Sequence, residues 1–339
     1  MNLVALQVYG SKKVNYGSNF VSKWNTSNTS SGSSTATQIK LPLASIGGTY
    51  NFLVDWGDGT SNTITVYNQP QVTHTYASPG IYTITISGTC TGWVFNNIGD
   101  KLKLLSILNW GSLKLGTNQG SYFSGCTNLT LSTVSDVLNL TGTTSLSSAF
   151  RACTALTAVN RMNEWNVSNV TSMNSLFLLA TNFNQPIGNW NVINVNSMSS
   201  MFSDAIRFNQ PISSWNMSNV TILGSMFSNA ASFNQPIGNW NTVKVSAMAN
   251  LFRDAISFNQ DISNWSMSVV INGIGFMAGK SSANFSAAYL DNMYNAWAAQ
   301  PVVVSGLTID FGTIKYTAAG TPGKNILLSK GWIITDGGI

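Results

Sequence analysis

The chain has 339 residues, which is long enough for two or three domains. Charged residues make up only 8% of it, against about 25% in typical domains, and Asn, Ser, Thr and Gly supply the polarity instead. The formal net charge of +5 comes from scattered basic residues, with only Lys12 and Lys13 adjacent, so the composition argues against a nucleic-acid-binding protein.

Residues 1–19 form a short lead of polar and apolar residues with no assignable fold. The stretch lacks a basic region followed by a long apolar core, so it does not look like a secretory signal. The chain contains no run of about 18 apolar residues, and no membrane insertion is expected. We expect residues 1–19 to anchor the protein to other virion or surface proteins in a multi-copy assembly.

Residues 20–92 alternate apolar and polar side chains in the manner of an all-β domain. A strand is expected at 50–56, followed by a hairpin turn at 57–60 with a strong Asp-Gly signal. The motifs VDWGDGT at 54–60 and HTYASPGIYTITISG at 74–88 resemble the polycystic-kidney-disease (PKD) type of Ig-like sandwich. The resemblance implies a β-sandwich that serves outside the cell as a spacer or binding module.

Residues 93–275 repeat themselves, first irregularly and then with a fixed period of 25 residues. A fixed period of 20 to 50 residues is typical of proteins whose units stack, because one unit is too small to bury its apolar face alone. Each unit keeps one tryptophan and one phenylalanine. We expect these aromatic residues to form the repeat core: Trp165, Trp190, Trp215, Trp240, Trp265, Phe177, Phe202, Phe227 and Phe252.

The unit at 195–219 shows how each repeat is expected to fold. Four apolar residues of its first half have the spacing of one face of a short helix: Met198, Met201, Phe202 and Ala205. The half after Pro211 has the L-x-x-L-x-L spacing of a leucine-rich-repeat strand. The sequence therefore predicts a mixed fold class, with an Ig-like/PKD-like sandwich followed by a leucine-rich-repeat-like solenoid of about 25-residue units.

The repeat also resembles a known family. The segments FNQPIGNWN at 183 and 233, with the NVTSM-type segments at 169 and 194, resemble the BspA-like leucine-rich-repeat family of bacterial surface proteins. The resemblance implies a surface protein.

Residues 276–339 break the repeat and are expected to cover its last apolar face as an α/β cap. The pattern predicts a helix at 286–299 and strands at 307–311 and 331–335, with a short helix between the strands.

No catalytic motif is present in the sequence, and we expect a non-enzymatic protein without a cofactor or a resident metal. The one histidine, His74, lies in a predicted strand, and no nucleophile motif accompanies it. Asp55 and Asp58 are the candidates for a calcium site, although calcium needs six or more oxygen ligands. The alternative is that Asp58 makes the turn and Asp55 lies on the sandwich edge.

Polar residues flank the repeated tryptophans on both sides and are the candidates for glycan or partner binding. One set precedes the tryptophans: Asn189, Ser214, Asn239 and Asn264. The other set follows them: Asn166, Asn191, Asn216 and Asn241. Stacking would place each set in a row. Such amides and hydroxyls can bind sugar hydroxyls or bond to each other as a structural ladder, and both alternatives remain open.

Two functions fit these features. The first is a virion structural protein of a phage, such as a capsid decoration, head fibre or tail-fibre component, at the virion exterior and facing host glycans. The alternative is a bacterial cell-surface adhesin with the same domains, which would need a secretion signal. A glycan-binding appendage of an enzyme is a third class and would need a catalytic domain elsewhere.

Overall fold

A computed structural model describes residues 15–117 and 120–339 of the chain. The anchor predicted at residues 1–19 therefore lies mostly outside the described residues. The described residues contain ten strands: β1 (Phe20–Asn25), β2 (Gln38–Lys40), β3 (Thr49–Asp55), β4 (Ser61–Ile64), β5 (Thr73–Thr75), β6 (Ile81–Thr91), β7 (Leu104–Asn109), β8 (Leu113–Lys114), β9 (Thr308–Asp310) and β10 (Ile333–Thr335).

The N-terminal part is built around a six-stranded sheet in which the order is β4-β3-β6-β1-β7 and β8 pairs with β6. All neighbours on this path are antiparallel, whereas the β6–β8 pair is parallel. In β3, Tyr50, Phe52 and Val54 alternate inward and are buried, as the period of a half-buried strand requires. Strands β2 and β5 form a separate two-stranded antiparallel sheet. Because β7 and β8 lie in the large sheet, that sheet extends past the domain boundary expected at residue 92.

The 25-residue units contact one another through backbone hydrogen bonds at a constant offset. The N–H of Phe177 donates to the carbonyl of Met201 at 2.9 Å, and the N–H of Phe202 donates to the carbonyl of Met226 at 2.9 Å. Single parallel bridges run through the equivalent positions Ser172, Ser197, Ile222, Ala247 and Asn272. Each unit therefore satisfies its backbone groups against its neighbours rather than within a helix or a wide sheet.

The predicted fold class is wrong. A leucine-rich-repeat solenoid with a short helix and a strand in each unit is not seen. The regular strands lie mostly in antiparallel sheets outside the repeat, and between residues 120 and 286 the only helical element is the 3₁₀ turn Met162–Glu164. The helix predicted around Met198 is a series of turns, with hydrogen bonds such as that from the N–H of Met201 to the carbonyl of Met198.

Left-handed backbone conformations explain why no helix forms there. In five successive units, two non-glycine residues at equivalent positions have positive φ, for example Ser200 at 55° and Asp204 at 58°. A left-handed residue interrupts the repeated hydrogen bonding of a right-handed helix. The same conformation recurs at a series of equivalent positions: Ala152, Leu179, Asp204, Asn229, Asp254 and Gly279.

Leu179 is the least suitable residue of this series, since its φ is 62° and its side chain is 38% exposed. We expect the Leu179→Asn variant to be about 1 kcal/mol more stable than the Leu178→Asn variant, because both lose a partly buried leucine and only position 179 has the left-handed backbone that asparagine tolerates. Urea denaturation of the two variants measures the difference, and equal stability of the two would contradict the explanation by backbone conformation.

Two α-helices occur among the described residues, and both lie near the C-terminal end: α1 (Ala287–Ala298) and α2 (Thr321–Ser329). Strands β9 and β10 pair in parallel beside them. The buried hydrophobic residues form one cluster that extends from Phe20 in the large sheet to Trp332 near the end of the chain. No helix among the described residues is long and apolar enough to span a membrane.

Candidate polar rows beside the buried tryptophans

The tryptophans and phenylalanines predicted as the repeat core are all buried, with exposures of 3% or less. Their rings stack from unit to unit: the ring centroids of Trp165 and Trp190 are 6.2 Å apart, and those of Phe202 and Phe227 are 5.7 Å apart. All but one of the five indole N–H groups are satisfied by the preceding unit, and that of Trp165 has no hydrogen-bond partner among the described residues. Four of them donate at 2.9–3.2 Å to a carbonyl 28 residues earlier: Trp190, Trp215, Trp240 and Trp265.

The eight flanking residues predicted as a binding surface are all exposed. We call the set that follows the tryptophans the inner row: Asn166, Asn191, Asn216 and Asn241. In each of them the side-chain carbonyl accepts the backbone N–H two residues later, at 3.1–3.2 Å. This local turn holds the amide in place. The NH₂ groups of the inner row have no hydrogen-bond acceptor among the described residues and remain available for a ligand.

The set that precedes the tryptophans, which we call the outer row, is partly used for structure. The Ser214 hydroxyl donates to the carbonyl of Gly188 at 2.8 Å, and the Asn239 amide donates to the carbonyl of Ser213 at 3.1 Å. The side chains of Asn189 and Asn264 have no such partner in the described part of the chain. The outer row therefore contains two residues of the structural-ladder type and two with free side chains.

A third row of amides was not assigned a role by the sequence pattern. The asparagines of the repeated Phe-Asn-Gln motif accept the backbone N–H of the equivalent residue in the next unit, as Asn184 does from Asn209 at 2.9 Å. The same side chain also accepts from the amide of Gln210 at 2.9 Å. The series continues through Asn209, Asn234 and Asn259. The near-identity of this motif between units was the signal for such a ladder, which bonds the units together.

The comparison with protein families identifies the repeat. Three overlapping segments, 118–232, 144–265 and 212–289, match the family model described as "Mycoplasma protein of unknown function, DUF285". Together they span residues 118–289, just over half of the chain. The chain belongs to the DUF285 family. No curated protein and no solved structure gives a significant match.

Membership of DUF285 is compatible with the resemblance to BspA-like surface proteins. The matched segments begin after the N-terminal sheet, so they do not bear on the PKD resemblance, which stays a prediction. The phage origin also stays a prediction.

Asp58 and His74 of this DUF285 protein are hydrogen-bonded at the tip of the N-terminal sheet, with Asp58 Oδ2 and His74 Nε2 2.7 Å apart. Partial burial alone would raise the pKa of Asp58, but hydrogen bonds from Thr60 and His74 outweigh it and lower that pKa. The imidazole stacks on Trp56, with ring centroids 4.8 Å apart. The Asp55 carboxylate accepts the backbone N–H of Gly57 at 2.9 Å. Both carboxylates thus bond to the turn, and no group of three or more possible metal ligands occurs among the described residues.

The three cysteines, Cys90, Cys126 and Cys153, are free and buried. Burial raises the pKa of the Cys90 and Cys153 thiols, and that of Cys126 in the same direction. A thiol in this state is a poor nucleophile because little of it is ionised. The three cysteines therefore act as small core residues, Cys90 in β6 and the other two in the repeat.

Proposed function

We propose that the protein is a non-enzymatic bacterial surface protein of the adhesin type, which binds host-surface glycans along the inner row. The observation that carries the proposal is the state of Asn166, Asn191, Asn216 and Asn241. Each is exposed, each is held by the same local turn, and each has an NH₂ group without an acceptor in the described part of the chain. Membership of DUF285 supports a surface location over the virion exterior.

The chemistry of the row suits a chain of sugar hydroxyls. An uncharged amide donor makes a hydrogen bond worth only about 1 kcal/mol, so one asparagine would bind a sugar weakly. A row that offers the same donor in each successive unit can engage a linear glycan at several points, and each added contact raises the apparent affinity. The tryptophan rings beside the row are buried and do not provide a stacking platform for the sugar.

We expect the quadruple variant Asn166→Ser, Asn191→Ser, Asn216→Ser and Asn241→Ser to bind its glycan at least tenfold more weakly, because four amide donors are lost. Serine is a conservative choice, since Ser266 occupies the equivalent position in the last unit and its hydroxyl accepts the N–H of Ser268 at 3.3 Å. A glycan array followed by affinity measurements on the hits gives the result.

Two comparisons control this experiment. Asn196→Ser changes an exposed asparagine at another position of the unit, where a later unit has Ser246, and should leave binding unchanged. The triple variant Asn189→Ser, Asn239→Ser and Asn264→Ser removes the amides of the outer row. Its glycan affinity, compared with that of the wild type, shows whether this row contributes to binding. Absence of any glycan hit for the wild type, or full binding by the inner-row variant, would refute the proposal. Surface labelling of intact cells, compared with mass spectrometry of purified virions, separates the adhesin from the virion protein.

A further inference from the structure

A cleft of about 700 Å³ opens in the N-terminal part of the molecule, well separated in sequence from the polar rows. Its walls come from β2 and the loop after it, the loop at 65–70, and the segment 94–100. Clefts of 300–1,000 Å³ with a mainly apolar lining and a few polar groups are typical of small-molecule sites. The size and the mixed lining of this cleft therefore fit a ligand of one or two sugar residues.

The negative charge in the cleft is already neutralised. The Asp100 carboxylate accepts the backbone N–H groups of Ser34 and Lys40, each at 2.7 Å, and the Ser34 hydroxyl at 2.6 Å. The ammonium of buried Lys103 lies 3.5 Å from the same carboxylate. Asp100 is thus fully used to hold the loop before β2 in place.

The positive charge in the cleft is not neutralised. The ammonium of Lys40 has no acidic partner or hydrogen bond among the described residues, although its backbone N–H is fixed by Asp100. Three further lining side chains are also without an intramolecular partner in the described part of the chain: Ser45, Asn68 and Thr73. The cleft thus presents one cation and three neutral polar groups to a ligand.

Apolar groups complete the lining. Tyr67 is 41% exposed and Ile98 is 66% exposed, and both line the cleft. An exposed tyrosine ring offers a flat apolar face with a hydroxyl at its end, which makes it well suited to amphipathic ligands such as sugars. Together with Lys40, these residues favour a ligand that has a carboxylate on a partly apolar body.

We propose that this cleft binds a carboxylated sugar whose carboxylate pairs with Lys40, whose apolar face contacts Tyr67, and whose hydroxyl or N-acetyl groups contact Asn68. The site is distinct from the asparagine rows and does not depend on them. The charge of the whole chain favours such a ligand as well, because a net charge of +5 attracts acidic glycans at long range.

The test is calorimetric titration of the full chain with the methyl glycoside of N-acetylneuraminic acid, compared with neutral N-acetylglucosamine. We expect saturable binding of the acidic sugar and at least tenfold weaker binding of the neutral one, since a charge-assisted hydrogen bond is lost. Lys40→Met should weaken binding of the acidic sugar at least tenfold, and added salt should weaken it in the wild type. Tyr67→Ala should weaken it without changing the salt dependence.

Lys23→Met provides the matched control, because Lys23 is an exposed lysine on β1 that does not line the cleft. Binding in this variant should stay within twofold of the wild type. Three results would each overturn the proposal: no saturable binding of the acidic sugar, equal affinity for the neutral sugar, or unchanged affinity in Lys40→Met. None of them bears on the inner row, whose variants serve as a second control and should bind the acidic sugar normally.

Discussion

Replacing Lys280 with methionine is expected to lower the free energy of unfolding by about 3–5 kcal/mol. Lys280 stands 25 residues after Ala255, at a position where the earlier units have a small buried residue, and it is 1% exposed. Its ammonium nitrogen lies 2.7–3.2 Å from four backbone carbonyl oxygens that share its three N–H groups: Ala255, Ile256, Phe258 and Asn284. Methionine would fill the space, but it would leave the carbonyls of Ile256, Phe258 and Asn284 without a donor, whereas that of Ala255 keeps the N–H of Phe258 at 3.0 Å.

The effect is large because two of the carbonyls that would lose their donor, those of Ile256 and Phe258, belong to the last regular unit, residues 245–269. In earlier units the carbonyls equivalent to that of Ile256 accept an N–H from the following unit, as Ile206 does from Ser232 and Ala231 does from Ser257. No further regular unit follows residue 280, and the lysine ammonium takes the place of that missing donor. An unpaired buried carbonyl costs about 1–3 kcal/mol, so several of them account for the expected loss.

Urea denaturation measures the loss, and Lys315→Met is the matched control. Lys315 is an exposed lysine whose ammonium also donates to one carbonyl, that of Ile339 at 3.0 Å. The control should change the free energy of unfolding by less than about 0.5 kcal/mol. A loss below about 1 kcal/mol for Lys280→Met would contradict the proposed role at the end of the repeat.

Because of Lys280, the free energy of unfolding is also expected to depend on pH. Burial lowers the pKa of Lys280 from the ordinary 10.5 to about 8. Between pH 8 and pH 10.5 the unfolded chain therefore binds more protons at this residue than the folded chain, so its contribution to stability increases with pH. The difference in unfolding free energy between the wild type and Lys280→Met should grow by at most about 3 kcal/mol over this range. A difference that falls as the pH rises would contradict the direction.

The sequence predicted the burial of the repeated rings for a clear physical reason. Trp215 and Phe202 recur with a strict period, and large apolar side chains at fixed spacing must share one environment. The strand at β3 was similarly visible in its alternation, and α1 lies within the segment 286–299 for which the pattern predicts a helix. These elements depend on side-chain periodicity, which a single sequence contains.

The repeat backbone could not be read in the same way. The spacing of Met198, Met201 and Phe202 is shared by a helix and by consecutive turns, because both return the chain to one side after three or four residues. Residues with a left-handed backbone make the chain form turns instead of a helix. Serine rarely adopts this conformation and aspartate does so only occasionally, so the sequence does not reveal it at Ser200 and Asp204. The usable signal came just after the last regular unit, where glycines stand at the two equivalent positions, Gly275 and Gly279.

For the candidate sites as well, the sequence predicted some properties and not others. The exposure of the inner and outer rows followed from the position of each residue beside a buried tryptophan. The sequence could not show which side-chain atoms lack a hydrogen-bond partner. That depends on contacts between units, such as the hydrogen bond from the Asn239 amide to the carbonyl of Ser213. The cleft around Lys40 was beyond prediction, because its lining comes from segments as far apart in the chain as Ser34 and Ile98.

Phe202→Ala is expected to lower the free energy of unfolding by about 3–5 kcal/mol, as a phenylalanine removed from a well-packed core does. The Phe202 ring is fully buried and contacts four other rings, with centroid distances of 3.8 Å to Phe208, 5.8 Å to Phe177, 5.7 Å to Phe227 and 6.4 Å to Trp215. Urea denaturation measures the loss. The smaller substitution Phe202→Leu should cost less, and Ile206→Ala, at a residue 47% exposed in the same unit, should cost under about 1 kcal/mol.

For Phe202→Ala we expect a loss near the upper end of the range, about 5 kcal/mol, because the neighbouring units cannot move into the cavity that the missing ring leaves. The cost of a large-to-small substitution depends on how far the surroundings relax into the space. Here the hydrogen bonds from Phe177 to Met201 and from Phe202 to Met226 hold the backbones of three successive units at a fixed separation. The neighbouring rings can tilt, but the units cannot approach one another without breaking those bonds. A loss below about 2 kcal/mol would show that the stack does relax, and that its spacing is set by the rings rather than by the backbone.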